Sequence, residues 1–181
     1  MAQRQVALIR GINVGRAKRI AMDDLRALVE GLGYGDVRTL LNSGNVVFTA
    51  TAANRSGAAS RIEEAMTARL GVSARVTVLT AAEVAAAVAD HPLLQIAKDP
   101  SRLLVAVPNG PADRKRLLTL AREDWAPDIM AIGARVAYLW CPRGILESRL
   151  VTAVMRLSGD GVTTRNWATM NKLHGLAGGK G

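Results

Sequence analysis

The hydrophobic period of the chain changes in the same order twice, and few folds accept that order. Val6-Ala7-Leu8-Ile9 is continuously apolar, as a buried strand is, and Leu25, Leu28, Val29 and Leu32 then fall at the i, i+3, i+4, i+7 spacing of one helix face. Gly33-Tyr34-Gly35 supplies the helix stop. Residues 36–41 read as a strand, Asn42-Ser43-Gly44-Asn45 as a turn and Val46-Val47-Phe48 as the second arm of a hairpin with Ser43-Gly44 at or near its tip. Residues 49–59 are small and polar and read as a flexible excursion. Ile62, Ala65, Met66 and Leu70 return to helical spacing, Gly71 ends it, and residues 75–79 form a strand. The order is β-α-β-β-α-β, the split βαβ or ferredoxin-like unit.

Thr80 and Glu83 make a capping box for an alanine-rich connecting helix over residues 81–89, closed by His91-Pro92. Beyond it the same order recurs without visible sequence identity. Strands are predicted at 103–107, 129–132 and 135–140, helices at 113–122 and 145–157, and a short extended piece at Val162-Thr163. Thr164 is then placed to cap a last helix with apolar spacing Trp167, Met170, Leu173, Ala177, and residues 178–181 read as a frayed tail. The expectation is an α+β chain of two ferredoxin-like halves in tandem, 1–91 with the connecting helix and 92–181 with the C-terminal helix.

The connection after the first strand, Arg10 to Arg19, turns on Gly11 and Gly15 and delivers Arg16, Lys18 and Arg19 just before a helix. Such a turn can aim backbone N–H groups and the positive helix end at an anion. Neither the phosphate-loop Gly-Lys-Ser/Thr nor the dinucleotide G-x-G-x-x-G is present, so spacing alone also suits a solvated basic loop. Topology adds to it. The first two strands of a ferredoxin-like unit run parallel, which places the loop beside the hairpin tip. Arg10, Gly11, Asn13, Gly15, Lys18 and Arg19 would then meet Ser43 and Asn45 around one place suited to an anion. For Asn13 and Asn45, turn chemistry is the competing role.

Charge supports an anionic partner: 24 Lys and Arg against 15 Asp and Glu give +9. With 49% hydrophobic residues a core is affordable in 181 residues, and no apolar run is long enough to span a membrane. One cysteine, Cys141, and a start that goes straight into a strand point to a cytoplasmic protein. Groups for catalysis are scarce. His91 sits at a helix end, His174 has no His or Cys one turn away, and Cys141 reads as a small buried hydrophobe. Asp23-Asp24 complements a helix dipole, and no base can be named for Ser43. Neither a metal nor a cofactor is expected. A nucleic-acid mode like that of the RRM lacks sheet aromatics: Phe48 stands alone, while Tyr138 and Trp140 share a face and either stack bases or pack under helices. Arg165 and Lys172, around Trp167, are further candidates for phosphate contacts.

Three blocks in order carry a family resemblance: Leu8-Ile9-Arg10-Gly11-Ile12-Asn13-Val14-Gly15 with Met22 and Leu25; Val37-Arg38-Thr39 with Ser43-Gly44-Asn45-Val46-Val47-Phe48; and Thr164-Arg165-Asn166-Trp167 with Thr169, Lys172 and Leu173. Over nearly the full chain they resemble the bacterial family called domain of unknown function 1697, with Arg16 where that pattern usually has a glycine. The resemblance implies an α+β fold of ferredoxin-like character and no particular activity or cofactor. The residues themselves point to a binding module for a phosphate-bearing anionic ligand, nucleic acid or nucleotide among the candidates. The alternatives are a small enzyme acting on a phosphorylated or nucleotide metabolite and a protein-interaction subunit. Oligomeric state is not legible.

Overall fold

The computed structural model describes residues 1–178. The tail expected at 178–181 lies outside the described residues from 179 on. The chain forms two compact units, Met1–Val84 joined by the end of the chain from Leu173, and Ala85–Lys172.

In the first unit β1 (Gln3–Ile9), α1 (Met22–Gly31), β2 (Gly35–Leu40), β3 (Asn45–Ala50), α2 (Ala58–Leu70) and β4 (Val76–Thr80) follow the expected order. The sheet runs β2-β3-β1-β4 with every neighbour antiparallel. Because β3 opposes both, β1 and β2 run parallel, and the exit of β1 lies at the hairpin end of the sheet. Alternation decides what packs: Ala7 and Ile9 of β1, Val46, Phe48 and Ala50 of β3 and Val76 of β4 share a core with Leu25, Leu28 and Val29 of α1 and Ile62 and Met66 of α2. Burying each of the larger side chains contributes roughly 1.5–3 kcal/mol. Past β3 the expected flexible excursion is instead a bonded turn. Asn54 accepts from the Thr51 N–H at 2.7 Å, and its Nδ2 donates to the Gly33 carbonyl at 3.0 Å.

The connecting helix α3 (Ala81–Ala89) has the capping box the sequence predicts. Glu83 N–H donates to Thr80 Oγ1 at 3.1 Å, and Thr80 N–H to Glu83 Oε2 at 2.8 Å. The compact units divide inside this helix, between Val84 and Ala85, rather than after His91. The prolines mark where the chain turns; the contacts divide earlier.

The second unit repeats the pattern with β5 (Leu103–Pro108), α4 (Pro111–Leu120), β6 (Ile129–Ile132), β7 (Ala137–Trp140), α5 (Arg149–Ser158) and β8 (Val162–Asn166), its sheet ordered β6-β7-β5-β8. Leu104, Ala106, Ala137, Leu139 and Val162 pack with Leu117 and Leu120 of α4 and Leu150 and Val154 of α5. Several boundaries differ from expectation, α4 and β7 by two residues at an end and the later elements as follows. Ser148 starts α5, its Oγ accepting from the Val151 N–H at 3.0 Å, so the predicted helical stretch 145–147 lies before the helix. The extended piece at 162–163 runs on as β8 to Asn166, paired with β5 as far as Leu104. Asn166, and not Thr164, therefore caps α6 (Trp167–Leu176), its Oδ1 accepting from the Thr169 N–H at 2.8 Å. The fold is α+β, with two ferredoxin-like halves in tandem.

Candidate functional site

The loop from Arg10 to Ala21 is fastened at three points. Ile12 and Ile20 are buried, at 1% and 6% exposure, and pin its two ends into the core. Gly44 lets the hairpin come close beneath: a Cβ there would lie 2.9 Å from side-chain atoms of both Ile9 and Ile12, and its φ of +83° belongs to the region glycine takes most readily. The third fastening is Asn13. At φ 55°, its Nδ2 donates to the carbonyls of Ile20 and Asn42, both at 2.9 Å, while its Oδ1 accepts from the Ile20 N–H at 2.8 Å. Its own N–H reaches the Lys18 carbonyl at 3.1 Å. One asparagine thus closes the loop on itself and ties it to the turn after β2.

This arrangement leaves residues 14–19 exposed as a tip. Arg16, Lys18 and Arg19 carry its charge, and none of their side chains forms an ion pair among the described residues. Lys18 is itself held at φ 50°. The adjoining helix end contributes less than expected. Asp23 and Asp24 sit in the first turn of α1 and offset its dipole, Asp23 also pairing with Arg26 at 3.5 Å. The basic side chains, rather than the helix end, are what the tip offers an anion.

Of the residues singled out in the sequence, Arg10, Gly11, Asn13, Gly15, Lys18 and Arg19 are on this loop, and Ser43 and Asn45 are on the turn bonded to it. Their roles separate. Asn13 does clasp work. Asn45 is fully buried, with Nδ2 donating to the Leu40 carbonyl and to Ser43 Oγ, each at 3.0 Å, so it shapes the turn. Ser43 is exposed beside it. Ile12 and Leu41 are not among the residues the sequence singles out, whereas Asn42 and Gly44 both stand in the turn cluster that points to the hairpin. Arg165 and Lys172 belong to the second unit. Arg165, half-buried on β8, donates to the Thr164 carbonyl at 2.9 Å, and Lys172 is exposed on α6.

The second unit holds the aromatic residues considered for stacking. Tyr138 is buried and its hydroxyl donates to the Ala87 carbonyl at 2.6 Å. Burial, with a smaller contribution from Asp90, pushes its pKa up to about 12. His91 stacks on Tyr138 at a centroid distance of 5.2 Å and meets Trp167 at 4.5 Å, so Tyr138 is no platform for a base. The expected helix-end role of His91 is present, since its Nδ1 accepts from the Leu93 N–H at 3.2 Å, yet the residue is buried, at 7% exposure, rather than at the surface. Burial lowers its pKa. Cys141 is fully buried and burial raises its pKa, which disfavours a nucleophilic thiolate. Nearby, Ser148 Oγ donates to Asp128 Oδ2 at 2.8 Å, joining the start of α5 to the segment before β6. Among the described residues no cluster of three His, Cys, Asp or Glu is placed to hold a metal ion, and no helix is long and apolar enough to cross a membrane.

Comparison with known proteins agrees with this architecture. Along 98% of this chain and 99% of the other, the fold matches the solved structure of a conserved bacterial protein from Streptococcus pneumoniae, with a TM-score of 0.77 at 18% identity. No curated protein matches the sequence. A family model does, over residues 2–138, and the chain belongs to that family, described as protein of unknown function (DUF1697). The first two motif blocks fall within the matched residues; the block from Thr164 lies beyond them.

Proposed function

We propose that this member of the family is a cytoplasmic binding module for a phosphate-bearing anionic ligand, with the clasped loop of the first unit as the place where the anion is held. Arg16, Lys18 and Arg19 provide the charge, Ser43 adds a hydroxyl at the rim, and Arg10 stands at the base. Asn13 and Asn45 act as positioning residues. Arg165 and Lys172, in the second unit, are proposed as phosphate contacts of that unit by itself.

The observation that carries this reading is the Asn13 clasp. A loop that served only to keep the protein in solution needs no such fastening; here a side chain with four hydrogen-bonding partners in the loop and turn holds three cations outward. The backbone that carries them is thereby fastened before an anion arrives, which lowers the entropic cost of binding. Guanidinium and ammonium groups suit phosphate, through forked and point-charge contacts respectively.

Titration of a fluorescent oligonucleotide with the full chain tests the proposal. Replacing Lys18 and Arg19 together by alanine is expected to weaken binding at least about tenfold at moderate salt, as two charge-assisted contacts are lost. Unchanged affinity in that variant removes the loop from the site.

A further inference from the structure

Among the described residues Leu41 is the one bulky apolar residue held in the left-handed backbone region, at φ 57°, and it is 53% exposed. Glycine and asparagine enter that region far more readily than leucine, and asparagine follows directly at position 42. This aliphatic side chain stands half in water on a strained backbone and is outside the apolar cluster that forms the core of the first unit. Its neighbourhood indicates what it does. Asn42, the next residue, receives the Asn13 clasp, and Val14, the residue after Asn13, is 70% exposed. Among the described residues the large hydrophobics exposed in the first unit are Met1, Val14 and Leu41, so apart from the chain start each is the sequence neighbour of one of the two asparagines that the clasp joins. Arg16, Lys18 and Arg19 follow Val14 directly along the tip.

We infer that Leu41 and Val14 receive an unpaired base of a single-stranded nucleic acid whose phosphates lie on Arg16, Lys18 and Arg19. The inference rests on the phosphate-binding reading of the loop and adds the ligand's second chemistry. A ligand of phosphate alone has no use for aliphatic surface. A duplex hides its base faces in the stack, whereas a single strand presents apolar faces beside every phosphate. An anionic bilayer fits less well, because the rest of the tip and turn is Gly15, Ala17, Asn42 and Ser43, with no Trp, Tyr or Phe to anchor in the interface. Contact with aliphatic side chains carries no hydrogen-bond code, so binding is tolerant of sequence.

The test uses Leu41→Gly in the full chain, a change that relieves the backbone while removing the side chain. A single-stranded 12-mer, its duplex and inorganic tripolyphosphate are titrated against wild type and variant, with Leu41→Asn as a second form compatible with the same φ. The expected result is a melting temperature equal to or above wild type, single-strand affinity lowered roughly fivefold, and duplex and tripolyphosphate affinities unchanged. Equal single-strand affinity in wild type and both variants overturns the inference. If Lys18→Ala/Arg19→Ala still weakens binding in that case, the phosphate-binding reading survives; if no probe binds wild type, both fall. Tighter binding to vesicles of anionic phospholipid than to the 12-mer, lost in Leu41→Gly, overturns the inference in favour of a lipid surface.

Discussion

The two halves share a strand order and differ most where the first strand leaves its sheet. In the first half residues 10–21 bridge β1 and α1; in the second, Asn109 and Gly110 suffice between β5 and α4. Asparagine ties the chain down in both places. Asn109 sends its N–H to the Gly161 carbonyl at 2.8 Å and its Nδ2 to the Asp160 carbonyl at 3.2 Å. The arginines are used in opposite ways. Around the short connection Arg135 donates to the Pro108 carbonyl at 2.6 Å and Arg114 to the Gly133 carbonyl at 3.1 Å, so their charge serves the backbone. Around the long one Arg16 and Arg19 face water. A ferredoxin-like half closes without an extended loop, and the basic tip is therefore an addition to the fold that calls for a purpose outside it.

Gly44→Val breaks the first half hardest. The new Cβ meets Ile9 and Ile12 at 2.9 Å and takes a φ that β-branched residues resist, so a loss of about 2–4 kcal/mol is expected in chemical denaturation. Asn13→Ala follows, at about 1–3 kcal/mol, since the Ile20 and Asn42 groups lose their partner. Amide exchange at Ile20 should quicken in that variant while the second half keeps its protection. Wild-type protection at Ile20 would mean that the clasp is not what orders the loop.

Acid probes the other half. Burial holds the His91 pKa in the folded chain below its ordinary 6.5, so below that pH the unfolded chain binds the proton more readily. The His91 contribution is complete above about pH 6.5 and is lost as pH falls from there through the folded-state value. Protonation also removes the Nδ1 acceptor for the Leu93 N–H. His91→Gln should flatten this part of the stability profile, and amide exchange should locate the acid loss in β7 rather than β1. An unaltered profile in the variant would assign the acid sensitivity to other groups.

Much of the architecture was legible because it rests on period: Val6 to Ile9, the α1 stripe and the Thr80–Glu83 box are local patterns that tertiary contacts reinforce. Boundaries set by a competing hydrogen bond were not. Apolar spacing carries α5 back to Ile145, but the Ser148 hydroxyl caps the Val151 N–H and starts the helix later. Thr164 resembles a cap only until β8 pairs Thr164, Arg165 and Asn166 with β5. At the site, the proximity of loop and hairpin followed from strand direction, whereas the division of labour between Asn13, which clasps, and Lys18, which is exposed, depends on side-chain bonds between residues far apart in sequence. The burial of His91 between Tyr138 and Trp167 was hidden for the same reason.

The smallest effect on stability bears most on function. Lys18→Ala/Arg19→Ala should shift stability by less than ~0.5 kcal/mol, because both side chains are exposed and outside any ion pair among the described residues. The deciding measurement is the slope of log affinity for a single-stranded oligonucleotide against log salt in three proteins: wild type, this variant, and Lys115→Ala/Arg122→Ala. The last makes the same change in net charge at exposed positions of the second half. If the loop holds phosphates, the slope in Lys18→Ala/Arg19→Ala should be shallower than wild type by about 1.4, at ~0.7 per phosphate, while Lys115→Ala/Arg122→Ala keeps the wild-type slope. Equal slopes in the two variants would contradict the account, because the anion would then be answering to net charge and not to the loop.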